Sequence, residues 1–465
     1  MLSNTAILGA GTFASKVLVL LLMPFYTSIL STSEFGTADL IAQTANLLIP
    51  LAAVGICDGI FRFTLDSSED KRSILSTGMA ILLCGSATLA VIMPLLGLFE
   101  RLNGYLVLIA LYVIAANLHA AFAGYIRALG RTTLFAVQGI INTALTILLN
   151  IVFLVVFDLG SVGYVLSVVV ADLTMAIFLF FVARLARDLS PRWVSRDTAK
   201  AMLKFSVPYI PTTMLWLITS VSDRYIVTAY CGESANGLYA AAYKLPTLLS
   251  LVSGVFVEAW HFSTVKDATE EEKADFFGTV YVNFMSVMMI GASVLIAGSK
   301  IFTRILLADS YYSSWKFVPI LVLATAFSTL VSFLGSVYFL RKKSTRSMLT
   351  ALAGAIINII LNFVMIPDHG PMGAAVATLI SYAAVYVIRA YDTASYLRFP
   401  LRTPRLLVNT IVLLGQILIM TSEMRYWYFA QAAILLFVIL LNGKGIWNTG
   451  MRLIGGFFGK KSKKV

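Results

Sequence analysis

The chain has 465 residues, of which 59% are hydrophobic and 12% charged, with a net charge of +12 and a mean hydropathy of +0.87. No soluble domain of this length could hide so many apolar side chains, so a soluble protein is excluded and an all-α polytopic membrane protein is implied. The excess of Lys and Arg needs no nucleic acid, because basic loops meet anionic lipid on one membrane face, and the tail GKKSKKV (459–465) suits a lipid surface.

In chain order, the N-terminus MLSNTAILGAGTFASKVLVLLL has neither a basic flank nor a clear cleavage site after its apolar run. It is predicted as the first span and not as a removable signal. A bilayer core about 30 Å thick is crossed by about 20 apolar residues, which predicts about fourteen spans. They fall near 5–30, 35–61, 73–98, 104–127, 133–157, 163–185, 203–229, 237–262, 277–298, 317–340, 347–366, 372–392, 406–421 and 428–446. The thirteenth is short, so twelve spans plus a re-entrant or peripheral pair is the alternative count. Lys and Arg on alternate sides of these spans number about 26 against about 5, which puts the rich side and both termini in the cytoplasm. Pro24, followed by Phe25 and Tyr26, predicts a kink in the first span. Cys57, Cys84 and Cys231 are far apart in or beside apolar stretches and are expected to be small buried hydrophobes with no disulfide or metal role.

The pattern is written twice. Asn142 to Ser167, NTALTILLNIVFLVVFDLGSVGYVLS, returns about 210 residues later as Asn358 to Ser381, NIILNFVMIPDHGPMGAAVATLIS. Each copy reads as an apolar helix, a Gly-marked turn and a second apolar helix, with Gly160 and Gly163 matching Gly370 and Gly373. A second correspondence joins LSTSEFGTADLIAQTANLL (30–48) to YCGESANGLYAAAYKLPTLL (230–249). Such duplication within lipid points to a transporter with two halves. The basic segment carrying Pro191 divides them: an N-terminal lobe at 1–185, a cytoplasmic linker at 186–202, a C-terminal lobe at 203–392, and a two-span extension with a basic tail at 393–465. The lobes are expected to be six-helix units related by a pseudo-two-fold axis along the membrane normal, with the two extra spans outside them.

Charges inside spans mark function, since one at mid-helix costs about 2.5 to 3.5 kcal/mol on insertion scales unless compensated. Four cations qualify: Lys16, Arg224, Lys244 and Arg389. Lys16 lies about 16 Å along its helix at about 1.5 Å per residue. It is compensated either by an acid on a neighbouring helix or by a transient anionic substrate. Arg224 and Lys244 would suit a diphosphate, with a bidentate fork and a point charge, unless they snorkel to the outer interface. Arg389 is expected to snorkel to the cytoplasmic interface. The acids are Asp39, Asp58, Asp172 and Glu258. Asp58 with Arg62, and Glu258 with His261, share helix faces and read as structural ion pairs or a gate. Asp172 has no local cation, which leaves Lys16, a proton or a sodium ion. Asn142, Asn150, Asn358 and Asn362 read as interhelical hydrogen-bonding residues.

PFYTSILSTSEFGTADL in the first hairpin, VSDRYIVTAYCGESANGLYAAAYKL in the seventh and eighth spans, and GPMGAAVAT at 370–378 carry a resemblance that, with the span count, covers nearly the whole chain. The chain resembles the polysaccharide-transporter branch of the multidrug/oligosaccharidyl-lipid/polysaccharide flippase superfamily. That resemblance implies a flippase moving undecaprenyl-diphosphate-linked oligosaccharide across the bacterial cytoplasmic membrane by alternating access. Its partners would be that substrate, membrane lipids and polysaccharide assembly proteins. No cofactor is implied beyond coupling to sodium ions, protons or the membrane potential. In this reading Lys16, Arg224 and Lys244 neutralise the diphosphate in a central cavity, and Asp39, Asp58, Arg62, Asp172 and Glu258 serve coupling or gating. The alternative is an ion-coupled multidrug exporter of the same fold. An enzyme is not expected: no loop exceeds about 20 residues and no Walker or Rossmann fingerprint or cluster of metal ligands is present.

Overall fold

The computed structural model describes residues 18, 20–66, 70–262, 269–341, 343–422, 424 and 426–443, apart from the side chains at 209, 255 and 257–262. The chain divides into two compact units, Met1–Ala240 and Ala241–Val465.

In the first unit, α1 (Met23–Ile29) starts at a turn at Leu22, with Pro24 in its first turn where a missing N–H costs nothing. A capping box formed by Ser31 and Glu34 starts α2 (Thr32–Ala53). The second span, predicted near 35–61, breaks after Pro50. Val54 and Gly55 both take left-handed backbone (φ 52° and 66°), and α3 (Ile56–Thr64) leaves at 55° to α2. There follow α4 (Lys71–Leu96), α5 (Leu106–Ala128) and α6 (Thr132–Ile151), which loosens into a π-helical turn at Val152–Val156. Asp158 and Gly160 then take positive φ, and the chain returns as α7 (Gly160–Val182). Asn142 bonds to Asp172 and Arg131 to Ala183, so α6 and α7 form an antiparallel hairpin. Next come α8 (Arg196–Ser206), α9 (Ile210–Cys231) and α10 (Glu233–Ala242). Two apolar clusters hold the unit: Ile56, Ile60, Ile74, Phe122 and Ile126 in one, Ile41, Ala45, Ile109, Val113 and Val165 in the other.

The eighth span was predicted near 237–262. Residues 243–246, ending in Pro246, form turns instead, and the helix resumes as α11 (Thr247–Phe262). In the second unit α12 (Glu270–Ala297) and α13 (Val318–Leu340) pack through stacked rings of Phe284 and Phe333. The 50-residue α14 (Ser344–Thr393) folds back at Gly370, whose φ of 56° and ψ of −140° are open only to glycine. A Cβ at Gly354 would lie 2.6 Å from Val385, and Arg389 bonds to Thr350, so its arms run antiparallel. The extension consists of α15 (Thr403–Thr421) and the apolar helix α16 (Trp427–Gly443). A buried polar seam joins it to α12. Arg405 donates to Ser286 (3.1 Å), Asn409 and Asn442 exchange amide hydrogen bonds (3.2 and 2.7 Å), and Ser293 donates to Gln416 (3.0 Å).

By length and composition, eight of the described helices could cross a membrane, or nine if α2 and α3 form one bent span. The eight are α4, α5, α6 with its π turn, α7, α12, α13, α14 and α15, with the folded α14 counted once. That count reaches fewer than the fourteen spans expected. Large apolar side chains such as Val91 (79% exposed) and Phe181 (71%) face outward, as lipid-facing residues must. The chain is a multi-pass membrane protein. The cysteines are free, but Cys84 and Cys231 are exposed, correcting the expectation that all three are buried. An apolar stretch facing lipid has the same composition as one facing protein.

Candidate functional site

The first hairpins of the two sequence halves meet at a crossing of very small residues. A Cβ added to Gly36 would run into the Glu233 carbonyl oxygen, and one added to Gly237 into the Thr32 carbonyl oxygen. Thr32 and Gly36 stand four apart on α2, Glu233 and Gly237 four apart on α10, so the contact is reciprocal and brings backbone against backbone. Polar side chains fasten its margins. Thr32 and Ser234 hydroxyls are 2.7 Å apart, Asn236 donates to the Gly36 carbonyl (2.9 Å), and Arg101 pairs with Glu233.

Below that crossing lies the most buried ion pair among the described residues of the first unit. Arg224 on α9 donates from Nη1 to Asp39 Oδ2 on α2 at 2.8 Å, with side chains only 7% and 10% exposed. The Tyr239 ring lies 5.7 Å from the guanidinium carbon. Asp223, fully buried, accepts from the Tyr239 hydroxyl (2.7 Å) and from the Arg224 backbone N–H (2.9 Å). Tyr225 and Thr44 share a 2.6 Å hydrogen bond one turn further along. Arg224 thus pairs with an acid 185 residues away in sequence. Breaking such a pair while it stays buried costs about 3 to 5 kcal/mol, so it resists separation unless another charge replaces one member.

A second polar assembly sits within the α6–α7 hairpin and α5. His119 Nδ1 is 2.9 Å from Asp172 Oδ1, Asn142 donates to the same oxygen at 3.0 Å, and His119 Nε2 is 2.7 Å from Gln138 Oε1. Asp172 was expected to lack a local cation. His119, 53 residues away in sequence, is beside it and can carry a proton. With the Gln138 amide oxygen facing Nε2, both ring nitrogens donate and the imidazole is charged. A flipped amide leaves it neutral. The assembly can therefore store or release a proton without moving a helix.

Other expected residues fall out differently. Lys16 lies outside the described residues, as do the side chains of Glu258 and His261. Lys244 is half-buried in the turn at 243–246 and not within a helix. Asp58 and Arg62 are both exposed and form no ion pair, which corrects the pairing expected from their spacing. The break at Gly55 makes them the first and last turns of the separate helix α3, where each is favoured by the helix dipole without the other. Arg389 does not snorkel. It is 2% exposed, donating to Val331 O (2.9 Å), Thr350 Oγ1 (3.0 Å) and Ser347 O (3.3 Å), in space left by Gly335. Of the asparagines, Asn142 and Asn150 bond across helices, the latter to Tyr26, whereas Asn362 donates to Asn358 on its own helix. Sequence reasoning missed His119, Gln138 and Tyr239. The available signal was a polar residue in an apolar span, which does not say what it faces.

A sequence profile of the family described as polysaccharide biosynthesis protein matches residues 1–261. The chain belongs to that family. No curated protein matches it by sequence. Among solved structures it is similar to a lipid II flippase, MurJ, in an inward closed conformation, with a TM-score of 0.67 at 15% identity over 96% of this chain and 100% of that one. It is also similar to an inward-facing multidrug resistance transporter of the MATE family, with a TM-score of 0.61 at 14% identity over 82% and 95% of the two chains. A transporter of the same superfamily from Pyrococcus furiosus, described as having a binding pocket of reverse polarity, gives a TM-score of 0.56 at 12% identity over 84% and 96%. At these identities the likeness establishes the fold. Family and fold together support a membrane protein of the flippase and transporter class.

Proposed function

We propose that this chain is a flippase for undecaprenyl-diphosphate-linked oligosaccharide in the bacterial cytoplasmic membrane, with both termini in the cytoplasm. The observation that carries the reading is the buried Asp39–Arg224 pair beneath the Gly36–Gly237 crossing, in a chain of the polysaccharide biosynthesis family. In this state Asp39 neutralises Arg224. When a diphosphate arrives, its oxygens replace the Asp39 carboxylate on the guanidinium fork, which lowers the cost of parting α2 from α9. Binding and opening are then one event, and the sugar passes outward while the polyprenyl tail stays in lipid. Lys16 and Lys244 contribute further positive charge to the diphosphate path. The Asp172–His119 assembly supplies the coupling, taking up a proton from one side and returning it to the other.

The test is translocation of a lipid-linked oligosaccharide in proteoliposomes carrying the full chain. Arg224→Ala, compared with wild type at equal amounts of inserted protein because loss of the ion pair lowers stability, is expected to abolish translocation, and Lys16→Glu to be worse than Lys16→Ala through repulsion of the phosphates. Full translocation by both Arg224→Ala and Lys16→Glu would overturn the reading. Cation-dependent export of organic cations with no lipid flipping would replace it with the multidrug alternative.

A further inference from the structure

Arg127, in the last turn of α5, is held by two aromatic rings. Its guanidinium carbon lies 5.2 Å from the ring centre of Phe61 on α3 and 5.2 Å from that of Phe135 on α6. Three helices cooperate in this. Gly124, one turn earlier on α5, brings that helix close to α3, where a Cβ would stand 3.7 Å from Phe61 Cβ. The tight Gly130 turn (φ 77°) then returns the chain into α6 and places Phe135 nearby.

Aromatic rings hold a guanidinium by its faces and leave its five N–H donors, which lie in the plane, unused. Among the described residues no carboxylate and no hydrogen-bond acceptor meets those donors. Arg72, which also lies over a ring (Trp193, 4.9 Å), pairs with Asp188 (3.6 Å), and Arg131 donates to Ala183 O (3.3 Å). The acid of α3, Asp58, is exposed and makes no ion pair with Arg127. A half-buried, stacked and unneutralised fork is built to receive an oxyanion with two oxygens to share.

We propose that Arg127, clamped between Phe61 and Phe135, is the first docking site for the diphosphate of a lipid-borne substrate at the basic rim of the first unit. The proposal rests on the flippase reading. It adds to it a site, separate from Arg224, at which the headgroup is captured before it moves inward. The plainer role for an arginine here is to fix topology by its charge alone, which any lysine would serve equally. The two roles differ in what Lys can replace. An ammonium keeps the topological charge but offers neither the planar stack nor the bidentate fork.

The experiment uses the purified full chain and native mass spectrometry, scoring retention of undecaprenyl diphosphate, phosphatidylglycerol and undecaprenol. The wild type is expected to retain undecaprenyl diphosphate selectively. Arg127→Ala should weaken that retention by about tenfold or more, and Arg127→Lys by several-fold, a loss typical of a charge-assisted bidentate contact. Phe61→Leu/Phe135→Leu, which keeps the charge and frees it from the stack, should weaken it as well, whereas Arg131→Ala should bind as wild type. Equal loss of phosphatidylglycerol and of undecaprenyl diphosphate in Arg127→Ala would make this a general lipid contact and overturn the proposal. Full rescue by Arg127→Lys, or unchanged binding in Arg127→Ala with a wild type that binds, would overturn the clamp while leaving the flippase reading standing. A wild type that retains no undecaprenyl diphosphate would overturn both.

Discussion

The hairpin α6–α7 in the first unit and the folded α14 in the second use one backbone device and opposite interiors. Both reverse the chain at a positive-φ glycine, Gly160 and Gly370, and both carry a glycine three residues later that lets the returning arm approach. A Cβ at Gly163 would stand 3.1 Å from Phe153 O, and one at Gly373 would collide with Met365 O. Between their arms, however, the first holds an acid with a histidine, and the second a buried arginine that donates to neutral oxygens, with an Arg346–Asp392 ion pair (3.8 Å) towards the open end. Repetition has preserved the turn, which any hairpin of this length needs, and not the charge, which only function selects. The acid-and-histidine hairpin can change protonation, while the arginine hairpin can only be kept or broken.

The largest effect should come from the arginine hairpin. Arg389→Leu leaves Val331 O and Ser347 O buried without their donor and is expected to cost about 3 kcal/mol of stability. Thermal melting followed by size-exclusion chromatography would read it, and a wild-type melt would mean that Arg389 reaches water after all. The turns come next. Gly370→Ala, in a conformation closed to a Cβ, should cost about 2 to 3 kcal/mol. Gly160→Ala should cost about 1 to 2 kcal/mol, since its left-handed φ is one that non-glycine residues adopt, as Asp158 does beside it. Equal losses would show that the two turns are not ranked by their backbone.

Asp172→Asn keeps a hydrogen-bonding group of the same shape, so stability should change by less than about 1 kcal/mol. Its consequence should appear in transport instead: translocation driven by a pH gradient should fall to the level seen without one. A gradient response equal to wild type would remove the Asp172–His119 assembly from coupling. The smallest effect belongs to Arg131→Ala, in which an exposed residue loses one part-buried hydrogen bond of 3.3 Å, and it should cost about 0.5 kcal/mol.

The sequence alone determined the medium, the repeat and the turns. Apolar content above what a soluble core can bury leaves only lipid, and a glycine between two apolar runs, written twice at one spacing, can only be a reversal. What tertiary structure decided was which charges meet. Asp39 and Arg224 are 185 residues apart and His119 and Asp172 are 53 apart, and neither spacing follows a helical period. In a span apolar on every side, periodicity does not report which face turns inward, so a polar residue is visible in the sequence while its direction is not. The Asp58–Arg62 spacing shows the converse: a four-residue interval fixes a shared helix face, but pairing also requires a dry environment, and the break at Gly55 left both residues exposed.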